Sequence, residues 1–503
     1  MDIGFLKINN GEMVKIIDIP LISFDKFCER ILLFTSHEGN IVQFFAFEDK
    51  NSEPEFITVL RNDDLIVART KAPQIYNSLT YACEKFHMFE REIAEQYAIK
   101  PQGHPWLKSV RYHPNYCNKE DIFGNDYSKD IPGVYKYYSV EGEEIHEVGV
   151  GPVHAGIIEP GHFRFNCIGE KVLHLEIQLG YQHRGVEKLL ETAPIIRLPV
   201  IVEGIAGDTT IGNSLCFAEA LEGLLSLTID RETKILRTIA LELERISNHL
   251  GDLGALSADV AFLPPAAYFG RMRGDFLNML LMISGSRFGK GLIRPGGVRF
   301  TLTSEIRKNL ITRIKDIKPQ IEHVGNMLLN SSSVLARFEQ TGIVSKELSE
   351  HIGLVGVPAR ASGIDYDVRK YFPTEYYEKM TINTCFETSG DVYARAKVRF
   401  LEVLESIRII ETLLENNISI SPVNKKFEAF PPSSFVVTLN EGWRGEISHC
   451  IITDKDGHVL RYKIKDPSFH NWTGLALALR GEGISDFPLC NKSFNLSYCG
   501  FDL

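Results

Sequence analysis

Thr233-Lys234-Ile235-Leu236-Arg237-Thr238-Ile239-Ala240-Leu241-Glu242-Leu243-Glu244-Arg245-Ile246-Ser247-Asn248-His249-Leu250 repeats apolar side chains at steps of three and four. Leu236, Ile239, Leu243, Ile246 and Leu250 therefore fall on one face of a helix, the face that packing buries. Outward from this stretch, similar patterning predicts helices over 213–226, 274–284, 304–336 and 390–416, the last stopped by Asn416-Asn417 and Pro422. Strand-like runs bracket the helical middle. Upstream, His162–Cys167 and Val172–Leu179 flank a turn at Gly169-Glu170; downstream stand Phe435–Leu439 and His458–Lys463. Residues 1–115 read as a separate α+β unit, with strands at Phe56–Leu60 and Leu65–Ala68, a helix over Ala72–Glu95 and a turn over Lys100–Pro105. Residues 116–150 interleave Asn, Asp, Gly and Tyr as a linker or docking strap, and the three tyrosines of Tyr135–Tyr138 suit a packed segment. The expected fold class is α+β: an N-terminal α+β domain (1–115), the strap (116–150), and a mainly helical domain (151–503) with small β regions at both ends.

Bulk composition sets further bounds. The 503 residues correspond to two to four domains at roughly 100–200 residues each. A net charge of −10 argues against nucleic acid as the partner. The nine cysteines (28, 83, 117, 167, 216, 385, 450, 490 and 499) are scattered, with no Cys-x-x-Cys pair. That pattern suits a reducing compartment and offers no local zinc or iron–sulfur cradle. Met1–Pro20 lacks a signal-peptide core, and no stretch approaches the ~20 apolar residues of a membrane helix. Membrane association is therefore expected to run through a partner. No Gly-x-Gly-x-x-Gly follows a strand, so no dinucleotide site is expected on this chain.

Two sets of motifs carry a resemblance. Phe89-Glu90-Arg91-Glu92-Ile93 with Gly103-His104-Pro105-Trp106-Leu107 is similar to the signature of the 30 kDa peripheral-arm subunit of complex I. The second set begins with Gly151-Pro152-Val153-His154, Glu159-Pro160-Gly161-His162-Phe163-Arg164 and Gly180-Tyr181-Gln182-His183-Arg184-Gly185-Val186-Glu187-Lys188. It continues with Glu244–Leu250, Arg294-Pro295-Gly296-Gly297-Val298, Arg360-Ala361-Ser362-Gly363-Ile364-Asp365 and Arg444-Gly445-Glu446. In content and order these resemble the 49 kDa, quinone-site subunit of complex I, which is related to the large subunit of nickel–iron hydrogenases. Fusion of the two, together with the tail Asp486–Tyr498, resembles the large subunit of the hydrogenase-4 and formate hydrogenlyase type.

The resemblance implies a site and a set of partners. Nickel–iron binding needs four thiolates from two Cys-x-x-Cys pairs, because soft metals demand soft ligands. The corresponding positions are Ala206 and Thr209 in the first segment, and Ser468 and Asn471 in the second. Nickel is therefore expected to be absent, and the vacated space to resemble the quinone headgroup pocket of complex I. His162 and Asp259 match the family's quinone-pairing histidine and aspartate, a proton-supplying combination. The family's tyrosine in this loop is missing; Gly207 stands at its position. Glu187 matches the start of a hydrogenase proton path, or is a structural ion-pair member with Arg184 or Lys188. His183 and Arg184 face the partner's iron–sulfur cluster or form surface contacts, and His154 fixes a turn or lines the site. His249 satisfies the last carbonyls of its helix. The chain itself is expected to hold no cofactor beyond a possible quinone. The implied partners are a small iron–sulfur subunit, a ferredoxin-like subunit and antiporter-like membrane subunits, the whole lying peripherally on the cytoplasmic side of a membrane. The implied function is electron transfer from the partner's cluster to a quinone-like acceptor, in the manner of NADH:quinone oxidoreductase, coupled to ion movement. The alternative is a catalytically inactive coupling subunit.

Overall fold

The computed structural model describes the chain except residues 1–3, 38, 50–52, 130–133, 157, 416–419, 421, 423–426 and 428. The expected stop at Asn416-Asn417 lies outside the described residues. The N-terminal part is built on an antiparallel sheet of order β1-β5-β4-β3, from β1 (Leu6–Ile8), β3 (Asn40–Phe47), β4 (Glu55–Arg61) and β5 (Leu65–Lys71). Helix α1 (Phe24–Thr35), unforeseen from sequence, lays Phe27, Ile31 and Phe34 against it. The expected helix over Ala72–Glu95 is confined to α2 (His87–Tyr97); ahead of it lie a strand β6 (Ile75–Asn77) and two 3₁₀ turns. The reason is local: the Glu90 carboxylate accepts from Leu79 N at 2.8 Å and Thr80 N at 3.1 Å, diverting those amides from a helical ladder. β7 (Lys100–Gln102) pairs in parallel with β6.

Between β7 and the next sheet runs the strap. Its last residues form β8 (Ile145–Val150), the edge of a three-stranded antiparallel sheet with β9 (His162–Ile168) and β10 (Lys171–Gln178). A half-exposed edge strand tolerates polar residues, which is why composition reads it as linker. Short helices α3 (Val186–Thr192) and α4 (Leu198–Val202) lead to α5 (Thr210–Leu224).

The stretch around 233–250 belongs to α6 (Arg231–Asp259), capped by Asp230, whose side chain accepts from Thr233 N at 2.8 Å. It runs past Gly251 and Gly254 because α7 (Leu263–Ser284) crosses there; a carbon added at Gly254 would come within 3.3 Å of Phe269 Cβ. Strands β11 (Ile293–Arg294) and β12 (Gly297–Val298) make a tight hairpin. The expected 304–336 helix is two, α8 (Ser304–Leu329) and α9 (Ser332–Phe338), broken at Asn330-Ser331. Three short helices follow: α10 (Lys346–Ile352), α11 (Gly356–Ala361) and α12 (Val368–Tyr371). Helix α13 (Val392–Leu414) then completes a bundle with α6, α7 and α8.

The chain closes with β13 (Ser434–Gly442), β14 (Gly445–Thr453) and β15 (Val459–Lys465), then α14 (Ser468–Ala478), α15 (Phe487–Phe494) and α16 (Tyr498–Asp502). Their sheet, of order β15-β14-β13-β2, is buried on both faces, and its fourth strand is β2 (Met13–Lys15) from the other end of the chain. Among the described residues, no helix is long and apolar enough to cross a membrane, and all nine cysteines are free.

Candidate functional site

Residues 203–209 link α4 to α5 and are held from two sides. Arg184 donates through Nη1 to Gly204 O at 2.6 Å and through Nη2 to Ile205 O at 2.9 Å and Cys499 O at 3.2 Å, tying this loop to the C-terminal tail. From the other side, Arg444 at the β13–β14 turn presents its guanidinium edge-on to Asp208, with both contacts at 2.8 Å. The guanidinium lies 3.9 Å over the Trp443 ring, whose indole N–H donates to Asp208 O at 3.0 Å and Thr209 Oγ1 at 3.1 Å. Burial opposes the Asp208 charge, but Arg444 outweighs it and holds the carboxyl below its ordinary value. Beneath the loop, Glu244 accepts from Ile211 N at 2.7 Å and Gly212 N at 3.1 Å, and burial pushes its carboxyl up to about 8.

The second segment opens α14. Ser468 Oγ accepts from Ser497 N at 2.9 Å, and the Asn471 side chain takes Val355 N at 3.1 Å and gives to Val355 O at 3.0 Å. Arg444 connects the segments: it donates to Asn495 O at 2.6 Å and feels both Asp208 and Asp466. The four positions of the supposed metal site thus hold a buried methyl (Ala206), two occupied hydroxyls and an occupied amide. The nearby thiols do not help. Burial raises Cys216 well above its ordinary value, Cys490 to about 12 and Cys499 to about 11, so forming a thiolate costs more at each than at an exposed cysteine. A fixed cation beside hard or spent donors does not fit a nickel–iron pair.

The histidines and acids singled out from sequence are distributed around this core. His154 Nε2 donates to Gly161 O at 2.8 Å, and His162 Nδ1 donates to Gly151 O at 3.0 Å, so the two rings clasp the β8–β9 connection. His162 Nε2 is buried without a partner, and its ring stands 5.3 Å from that of Tyr137. Asp259, exposed at the end of α6, has Lys492 as its charged neighbour; among the described residues it makes no hydrogen bond or ion pair with His162. His183 stacks on His113 at 4.9 Å and donates through Nδ1 to Asp502 O at 2.7 Å; burial lowers it to about 4. Glu187 contacts neither Arg184 nor Lys188 but Lys463 at 2.7 Å and Arg461 at 2.8 Å, on β15.

A family model described as the 49 kDa subunit of respiratory-chain NADH dehydrogenase matches residues 259–433 and 421–502. An NADH-quinone oxidoreductase subunit of Clostridium beijerinckii is 30% identical over 338 residues, 67% of this chain and 91% of that protein. The chain belongs to the 49 kDa subunit family. An F(420)H(2) dehydrogenase subunit of Methanosarcina mazei is 29% identical over 69% of the 49 kDa-like chain and 95% of its own length. Hydrogenase-4 component G of Escherichia coli is 26% identical over 81% of this chain and 72% of its own length, a longer match. The 49 kDa-like chain is thus an oxidoreductase subunit of the complex I-like kind, related to peripheral-arm subunits of membrane-bound complexes.

Several residues of the 49 kDa-like chain escape a reading of sequence alone. Asp208, Trp443 and Asp502 gain their roles only by folding. Asp502 accepts Gly180 N and Gln182 N at 2.8 Å each, and burial raises it to about 7. His249 satisfies no helix carbonyl; its Nε2 bonds Glu402 at 2.7 Å, inside a buried cluster where Glu402 also meets Arg360 at 2.7 Å. The signal that was available is the Arg444-Gly445-Glu446 motif: its arginine holds Asp208, and its glutamate pairs with Arg61 at 2.7 Å and Lys465 at 2.8 Å.

Proposed function

We propose that this chain works in the peripheral arm of a membrane-bound complex I-like complex, where electrons from an iron–sulfur cluster of a small partner subunit reduce a quinone-like acceptor. The observation that carries the reading is His162. A carbonyl oxygen can only accept, so Gly151 O fixes Nδ1 as the donor and leaves Nε2 of the neutral ring as a lone pair. That buried nitrogen has no partner in the protein. Reduction of the acceptor consumes two electrons and two protons, and a proton taken up at Nε2 is placed to be handed on. Asp259, with a carboxyl raised by burial against the pull of Lys492, is a second proton source in this reading and, among the described residues, makes no hydrogen bond or ion pair with His162. Arg184 and His183 shape the face towards the partner's cluster, and His154 sets the loop that carries His162. Antiporter-like membrane subunits, a ferredoxin-like subunit and a position on the cytoplasmic face of the membrane complete the proposed assembly. The division into 1–115, 116–150 and 151–503 belongs to the same proposal.

A second reading, a coupling subunit without an acceptor of its own, draws on the Asp208–Arg444–Trp443 group that fills the first loop. Quinone-dependent turnover of the intact complex separates the two. His162→Ala should lower it by about 100-fold or more with the iron content unchanged. Unaltered turnover with every quinone tried removes the acceptor from this site and leaves the coupling reading.

A further inference from the structure

A cavity of about 580 Å³ lies apart from the loops around Arg444, where α2, the strap, β10 and α14 come together. Neither His162 nor Asp259 lines it, nor do any of the four supposed metal positions. Its size falls within the ~300–1,000 Å³ of small-molecule sites. Trp106, Tyr138, Phe469 and Trp472 give it aromatic walls. The strap forms one side and is fastened down: Glu176 accepts from Tyr135 Oη at 2.7 Å and from Tyr138 N at 2.8 Å, and Asn166 Nδ2 donates to Tyr138 O at 3.1 Å.

The charges facing this space are unbalanced. Glu176, the acid in the lining, is already neutralised by Lys108 at 2.6 Å. Arg91 spends its guanidinium on the carbonyls of Lys108 and Ser109 and on the Met88 sulfur, with no carboxylate bonded to it. Arg480, at the cavity's exposed end, makes no ion pair or side-chain hydrogen bond among the described residues. His174, set between Trp106 at 5.9 Å and Tyr138 at 4.8 Å, buries an Nε2 with no partner. An apolar, aromatic-walled space with one unpaired guanidinium, the added positive charge of Arg91 and no free acid is complementary to an apolar body that ends in one negative group.

We propose that this cavity binds a small amphipathic carboxylate, its apolar part between the strap and α14 and its carboxylate at Arg480. The reading is independent of the acceptor chemistry at His162. The test is calorimetric titration of the full-length chain with decanoate, decan-1-ol and decylammonium, each below its aggregation limit. Decanoate should bind at one per chain and at least about 10-fold more tightly than the other two, the equivalent of one lost charge-assisted contact. Arg480→Ala, at an exposed position, should erase that preference while leaving the thermal midpoint unchanged. Ala476→Trp should fill the cavity and abolish binding of all three. No saturable decanoate binding, equal affinity for the three head groups, or a preference that survives Arg480→Ala would each overturn the proposal.

Discussion

Glu187 is pinned by Lys463 Nζ, Arg461 Nη2 and the Ile464 amide, at 2.7, 2.8 and 3.0 Å. Burial resists its charge, but Lys463, Arg461 and Arg111 prevail and hold the carboxyl well below the usual range. The sign of the pH effect follows. The unfolded chain binds a proton at Glu187 more readily than the folded one, so the pairing stabilises the protein above the ordinary carboxylate value and is lost as pH falls through the depressed one. Glu187→Gln should cost about 3 kcal/mol near pH 7, because the buried cations lose a counter-charge. Denaturant unfolding should show that difference shrinking below pH ~4. Asp502 and Glu244 run the opposite way. Their carboxyls are raised, to about 7 and about 8, so their contributions are full below the ordinary carboxylate value and fade as pH rises through these values. The protein should therefore lose stability between pH 5 and 8 as the buried Asp502 carboxyl ionises, even though its bonds from the Gly180 and Gln182 amides favour the charged form. The denaturant midpoint should fall more over that interval in the wild type than in Asp502→Asn.

Helices with a strict apolar period were legible in the sequence, and α6 is the clearest case: five of its buried residues were read from spacing alone. What failed did so for identifiable reasons. The Ala72–Glu95 helix lost its first half to a carboxylate further along the chain, and β8 was hidden by the polar residues that an edge strand accepts. Of the candidate site, the motifs were visible but their partners were not. Nothing near Glu187 in sequence points to β15, and nothing near Gly204 points to Arg444. Close approaches at glycine carry a prediction here. Gly356 begins α11 with φ at +66°, and a side-chain carbon there would collide with the carbonyl oxygen of Arg444. Gly356→Ala should destabilise the protein by about 1–3 kcal/mol and, by displacing Arg444, increase protease cleavage in the 203–209 loop. Unchanged stability and cleavage would mean that α11 does not brace the β13–β14 turn.

Buried ion pairs link distant parts of the molecule through its apolar core. Glu402 meets Arg360 and His249 at 2.7 Å each in the interior of the α6–α13 bundle, all three fully buried. Arg61 of the N-terminal sheet meets Glu446 of the C-terminal one. Breaking such a pair leaves an unpaired buried ion, so Glu402→Ala should cost about 3–5 kcal/mol by denaturant unfolding. Around this frame stand the motifs that resemble the family's, while the positions expected from that resemblance to carry thiolates hold a methyl, hydroxyls and an amide beside a fixed arginine. The most direct test of that account is the nickel and iron content of the intact purified complex, normalised to this chain. Nickel should be absent and iron should match the partner subunits' clusters. Nickel near one per chain would contradict the account and would require ligands other than Ala206, Thr209, Ser468 and Asn471.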